Sequence, residues 1–278
     1  MSERPAADLA AELLDLAQEA ATRAGRLLRD GRPADLGVMA TKSSPIDVVT
    51  EMDLAAEKLI TGFLADHRPQ DGFLGEEGGT SDGTSGVRWI IDPLDGTVNY
   101  LYGLPHWAVS IAAEHEGEVI AAVVAAPMRG ETYRAVRGGG AWRLTRGDAG
   151  ETSEPLVPRP SPPLDQALIG TGFNYVATVR TAQAALAARL IPRLRDIRRS
   201  GSAAIDLCDV AGGRLDGYYE RGLAPWDLAA GDLIAREAGA LTGGRPGRRP
   251  DRDLTVAASP GVFAALQPLL DELGAWHD

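Results

Sequence analysis

The chain has 278 residues, 44% of them hydrophobic and 24% charged, a globular rather than a disordered balance. Its formal net charge of −11 argues against a broad electrostatic grip on nucleic acid or on an anionic membrane, although a bound metal can still hold a small anion. With a single cysteine, Cys208, no intrachain disulfide is possible, and a reducing compartment fits.

The N-terminal residues lack a basic segment followed by an apolar run, so no signal peptide is expected. The longest apolar stretch, residues 119–128, falls far short of the ~20 residues a membrane-spanning helix needs. These readings place the protein in the cytoplasm, with neither membrane nor direct nucleic-acid contact expected. Over residues 7–29, Leu9, Leu13, Leu16, Ala20, Ala24 and Leu27 recur at steps of three and four, which predicts an amphipathic helix. Arg32-Pro33 and Gly37 break it. A polar run, TKSSPID, leads to Val48-Val49-Thr50 and a second helix over 52–66. Residues 71–86 are glycine-rich and acidic, with Phe73-Leu74 as a short buried element. A strand follows at 87–91. Residues 107–127 read as two β-runs joined by a turn at Glu116-Gly117, and 131–144 as a hairpin around Gly138 to Gly140.

Residues 145–165 hold five prolines and read as a surface connection joining two lobes of one 278-residue domain, not as a packed element. Beyond it come a strand at 167–171, helices over 178–194 and 202–213, a strand at 215–220 and a helix over 227–238. The strand LTVAAS and a last helix, GVFAALQPLLDELGAW, complete the chain, and 243–253 reads as an exposed loop. Cys208 falls within a helix and reads as a core residue. Strands and helices alternate but hairpins interrupt them, which predicts a layered α/β (α+β) sandwich with mixed sheets.

The strand at 87–91 runs straight into Asp92-Pro93-Leu94-Asp95-Gly96. Taken alone, this reads first as a type I turn with exposed acids, with a ligand-bearing strand end as the alternative, since ligands gather beyond the carboxyl ends of strands. Other acids sit at apparent element ends where packing does not account for them: Asp47 before VVTEMD, Glu76 and Glu77 in GEEGG, and Asp227 in PWDLAAGD. An oxygen-only ligand set suits Mg²⁺ or Mn²⁺. The four histidines show no zinc-ligand spacing. Asp53 reads as a helix N-terminal acid, a placement that would also describe Asp227 in isolation.

Four segments, WIIDPLDGTVNY, RSGSAAIDLCDVAGGRLDGYYERGLAPWDLAAGDLIAREAGA, SSPIDVVTEMD and FLGEEGG, occur in the order found in the inositol monophosphatase family, and the chain resembles that family over roughly residues 7–270. The similarity is greatest to bacterial inositol-1-monophosphatases. The resemblance implies an α-β-α-β-α sandwich, usually a homodimer, hydrolysing small phosphorylated alcohols through two or three Mg²⁺ ions, with Mn²⁺ a possible substitute and lithium an inhibitor. It implies that Glu76, Asp92 and the Leu94 carbonyl hold one ion, and that Asp92, Asp95 and Asp227 hold another. Thr97 and Asp47 would activate the attacking water. Gly96 and Thr97 would offer N–H groups to the phosphate, and Gly201, Ser202, Ala203 and Glu220 would line the alcohol side together with Asp95 and Asp227. Lys42, on the loop 31–44, would lie near the phosphate. Arg198 and Arg199 read equally as phosphate, solvent-facing or subunit-contact residues. Val98 stands where many relatives carry a second threonine. The implied reaction is hydrolysis of myo-inositol monophosphate by direct water attack. Histidinol phosphate and fructose 1,6-bisphosphate are alternative substrates, and a regulatory binding partner with secondary catalysis is the alternative of another class.

Overall fold

Helix α1 (Glu3–Asp30) opens the chain and is followed by a two-stranded hairpin, β1 (Ala40–Thr41) and β2 (Val48–Val49), and by α2 (Glu51–His67). The computed structural model describes residues 3–42, 48–147 and 150–276. Next come β3 (Gly72–Gly75), β4 (Gly79–Ser81), β5 (Val87–Asp95), the short α3 (Thr97–Leu101), β6 (Ala108–His115), β7 (Glu118–Ala126), β8 (Glu131–Val136), β9 (Gly140–Gly147) and β10 (Gly150–Pro155). The remainder is β11 (Leu168–Thr171), α4 (Ala177–Leu190), β12 (Asp196–Arg198), α5 (Ala203–Ala211), β13 (Gly217–Glu220), α6 (Pro225–Glu237), β14 (Leu241–Gly243), β15 (Thr255–Ala258) and α7 (Pro260–Glu272).

Among the described residues, eight strands form one sheet in the order β10-β9-β8-β7-β6-β5-β3-β4, and five form another in the order β12-β11-β13-β15-β14. Both are mixed: β3 pairs with β5 in parallel inside an otherwise antiparallel sheet, and β11 runs parallel to β12 and β13 while β15 is antiparallel to its neighbours. The layering follows from the alternation of side chains along each strand. Trp89 and Ile91 of β5, with Val109, Ile111 and Ala113 of β6, face α1 and α2, where they bury Leu13, Ala17, Ala24, Leu28, Ile60 and Leu64. Ile90 of β5 and Ala108 and Ala112 of β6 face the other way, onto Ala204, Ile205 and Cys208 of α5 and Ala230 and Ile234 of α6. The far sides of α5 and α6 pack through Leu207, Val210 and Ala235 onto Tyr218 and Ala257 of the second sheet. Helices α4 and α7 cover that sheet's outer face through Leu186, Leu190, Val262 and Leu266. The result is a layered sandwich with mixed sheets, as the alternation predicts, in the α-β-α-β-α order that the resemblance implies.

Local chemistry fixes the elements that carry the acids. Thr50 starts α2 with a capping box: its hydroxyl accepts from Met52 N–H at 3.2 Å, and Asp53 Oδ2 accepts from Thr50 N–H at 2.9 Å. The β6–β7 turn uses Glu116 and Gly117 at positive φ, as a two-residue hairpin requires. Two expectations shift. Residues 145–147 and 150–155 do not lie in a structureless connection, because β9 runs to Gly147 and pairs in register with β10, Thr145 opposite Thr152. The proline-rich linkage between the sheets is confined to 156–163. The strand at 87–91 extends to Asp95 with a register shift between Asp92 and Asp95, so both acids belong to the sheet. Cys208 is fully buried.

Candidate active site

The kink in β5 between Asp92 and Asp95 aims its acids at the end of the central helical layer. Asp92 is almost fully buried, and its Oδ1 accepts from Leu94 N–H at 2.9 Å. Asp95 reaches across to the start of α5, where its Oδ2 accepts from Ser202 Oγ at 2.6 Å and from Ala204 N–H at 2.7 Å. Asp227 stands at the third position of α6 and uses Oδ2 to accept from Ala224 N–H at 2.7 Å. It is thus an N-terminal helix acid and a cavity residue at once. Glu76 follows β3, its N–H donating to Ile91 O at 3.2 Å. Glycine is required at position 96: φ is +97°, and a Cβ there would stand 2.8 Å from the His106 carbonyl.

These groups share one cavity of about 130 Å³, whose wall includes Glu76, Asp92, Leu94, Asp95, Gly96, Thr97, Gly201, Ser202, Ala203, Glu220 and Asp227. The metal, phosphate and alcohol-side residues that the resemblance implies, where they fall within the described residues, all line it, whereas Lys42, Glu77 and Arg198 do not. Asp47 lies outside the described residues. A groove of about 450 Å³ continues from the cavity past Phe173, Glu220, Trp226 and Arg252. Thr171, Gly172, Phe173, Tyr175 and Asp206, which the sequence does not single out as substrate contacts, also line the cavity, as does Arg199, one of the two arginines read as open to a phosphate role. Gly172 leaves the room that the Glu220 carboxylate fills, and Tyr218 Oη donates to that carboxylate.

Among the described residues, the acid in contact with Thr97 is Asp53. Its Oδ1 accepts from Thr97 Oγ1 at 2.9 Å, while Thr97 Oγ1 also lies 3.0 Å from Leu94 O. The sequence reads Asp53 only as a helix N-terminal acid, and the capping interaction does exist; the second oxygen is what that reading misses. Lys42 lies at the rim rather than on a free phosphate path: its Nζ pairs with Glu76 at 2.6 Å and Glu77 at 2.5 Å.

Burial dominates the electrostatics. It pushes the Asp92 carboxyl well above the ordinary carboxylate range, and the charges of Glu76, Asp95 and Asp227 push the same way. Asp227 is raised well above that range too, by burial and then by Glu76 and Asp95. Burial also raises Glu76 against the opposing charge of Lys42, and raises Asp95 against its bonds to Ser202 and Ala204. Glu220 is pushed up by burial to about 7. Arg199 is the one Arg or Lys side chain lining this cavity, against six carboxylates. Crowded, buried carboxylates with an adjacent backbone carbonyl, and no histidine or cysteine among the lining residues, fit a hard divalent cation. A separate group, His106, Asp206 and Asp209, brings its ligand atoms within 4.8 Å of one another. There the cation is Arg129, which donates to both Asp209 oxygens at 2.7 and 2.9 Å and lies 3.1 Å from His106 Nε2.

The inositol monophosphatase family model matches residues 9–275. The chain is 43% identical over 279 residues to inositol-1-monophosphatase SuhB of Mycobacterium tuberculosis, covering 92% of this chain and 94% of that protein. It is 41% identical over 267 residues to Nus factor SuhB of Escherichia coli, covering 94% and 97%. The solved structure of Mycobacterium tuberculosis SuhB matches with a TM-score of 0.80 at 40% identity, over 96% of this chain and 98% of that one. The fold is that of a family of metal-dependent phosphatases. The chain belongs to the inositol monophosphatase family.

Proposed function

We propose that the protein hydrolyses small phosphate monoesters of alcohols, myo-inositol monophosphate foremost, with Mg²⁺ held by Glu76, Asp92, the Leu94 carbonyl, Asp95 and Asp227. The observation that carries this reading is the convergence of the Glu76, Asp92, Asp95 and Asp227 carboxylates on the cavity that Thr97 and Gly96 also line. Bound there, Mg²⁺ (or Mn²⁺) supplies positive charge for the phosphate dianion, acidifies water and stabilises the departing alkoxide.

The chain's own residues supply the proton path and the orientation. Thr97 Oγ1 takes a proton from the attacking water as its own proton passes to Asp53 Oδ1. The water oxygen forms the new P–O bond, the ester P–O bond breaks, the departing alkoxide takes a proton from solvent water, and the alcohol leaves without a phosphoenzyme. The Gly96 and Thr97 backbone N–H groups hold the phosphate, since the glycine lets an anion approach the chain closely. Ser202 keeps Asp95 in place through its hydroxyl, and with Gly201, Ala203 and Glu220 it borders the alcohol. Asp47 is the acid that the family resemblance pairs with Thr97; the contact at 2.9 Å supports Asp53 in that role. We further propose a cytoplasmic homodimer, inhibited by lithium.

Initial rates of phosphate release from myo-inositol 1-phosphate, histidinol phosphate, fructose 1,6-bisphosphate and 3′-phosphoadenosine 5′-phosphate test the substrate. The highest kcat/KM is expected for the inositol ester. A different leader under the same Mg²⁺ dependence would keep the site and overturn the alcohol. A second reading, a regulatory binding partner with secondary catalysis, is favoured by the identity to a relative named a Nus factor. A cellular phenotype rescued by the Asp95→Asn variant would support it over the enzyme.

A further inference from the structure

Helix α2 presents two acids, Asp53 and Glu57, one turn apart on its buried face. Asp53 meets Thr97. Glu57, 5% exposed, meets the turn that carries Glu76: its Oε2 accepts from Glu77 N–H at 2.9 Å and its Oε1 from Gly78 N–H at 2.5 Å. Among the described residues the Glu57 carboxylate has no basic partner, and its hydrogen-bond donors are those two backbone N–H groups.

The turn is wrapped around this carboxylate. A Cβ on Gly75 would stand 2.6 Å from Glu57 Oε1, and one on Gly78 would collide with the same oxygen. The two glycines that bracket Glu76-Glu77 are thus where side chains would displace the Glu57 head group. From the sheet side, Glu76 N–H is held by Ile91 O, one residue before Asp92. Glu76 is fixed between the strand that bears Asp92 and the helix that bears Asp53.

We propose that Glu57 is a positioning residue for the metal site: it holds the Glu76 turn so that the Glu76 carboxylate faces Asp92, and through α2 it ties that turn to the Asp53–Thr97 pair. This inference rests on the metal-site reading above. A carboxylate is needed because both partners are donors; a glutamine of the same shape offers one acceptor oxygen, and its NH₂ faces the other N–H. Outer partners that orient a ligand are worth about 10–100-fold in metal affinity.

The test is Mn²⁺ binding to the metal-free protein by titration calorimetry, together with its melting temperature, for wild type and Glu57→Gln. The expected result is a fall in Mn²⁺ affinity of about tenfold or more with a cooperative melt retained. The Mg²⁺ concentration for half-maximal activity should rise by a similar factor, with kcat at saturating Mg²⁺ less affected. Glu57→Asp, which keeps the charge but shortens the reach, should weaken binding likewise. Unchanged Mn²⁺ affinity in Glu57→Gln would overturn the proposal, as would loss of the folded state in both variants, which would make the role purely structural. If wild type itself fails to bind Mn²⁺, the metal-site reading fails first, so the two failures are distinct.

Discussion

Thr97 has one carboxylate within hydrogen-bond distance among the described residues, and that geometry makes a sharp prediction. Asp53→Asn and Thr97→Ala should each lower kcat by about 10²–10⁴-fold, the usual range for a positioned proton acceptor. Asp47→Asn, assayed beside them, should cost far less; the reverse order would return the base role to Asp47. Of the site, the sequence made legible the groups whose spacing is local. Asp92, Leu94, Asp95, Gly96 and Thr97 follow one strand, and a strand end that turns acidic is visible in a string of letters. Asp53 was half legible. Its capping box with Thr50 satisfies one oxygen and explains the residue on its own, so nothing in the local pattern points to a second partner 44 positions away. Phe173 and Tyr175 were not legible as substrate contacts at all, and Arg199 only as one of two adjacent arginines open to a phosphate, solvent-facing or subunit-contact role, because these residues reach the cavity only after β11 and β12 pair.

At the scale of elements, α5 and α6 are the pieces on which the site depends. They touch closely at Gly231, where a Cβ would stand 2.6 Å from Leu207 Cδ1. Gly231→Val should therefore cost about 1–3 kcal/mol by overpacking and also lower activity, since it parts the helix carrying Asp227 from the helix that anchors Asp95. Leu13→Ala is the contrast. Leu13 is fully buried on the inner face of α1, whose residues do not line the cavity, so about 2–5 kcal/mol should be lost in a denaturant melt while kcat stays near wild type. The periodic elements were legible for the same reason that α1 is stable: a stripe of Leu and Ala at steps of three and four can face only one way. What escaped were short strands without a hydrophobic signal. β10 is exposed along its length and reads GETSEP; its pairing to β9, not its composition, makes it a strand.

For the whole molecule, the buried acids link stability to pH and to metal. Each carboxyl raised in the folded state binds its proton more tightly there than in the unfolded chain. Its contribution is full below the ordinary carboxylate range and is lost as pH rises through the folded value, which for Glu220 means from 4.5 to about 7. The metal-free protein should accordingly melt at a lower temperature at about pH 8 than at about pH 5, and Glu220→Gln should flatten part of that slope. Mg²⁺ should raise the melting temperature more at the higher pH, because it then binds carboxylates that have no proton to lose. A slope unchanged in Glu220→Gln would show that its burial is not felt in the folding equilibrium. The single measurement that bears most directly on the central claim is phosphate release from myo-inositol 1-phosphate by wild type and Asp92→Asn, each with Mg²⁺ and with a chelator. The account predicts turnover for wild type with Mg²⁺ alone, and none in the other three arms. Turnover that survives the chelator, or survives in Asp92→Asn, would contradict it.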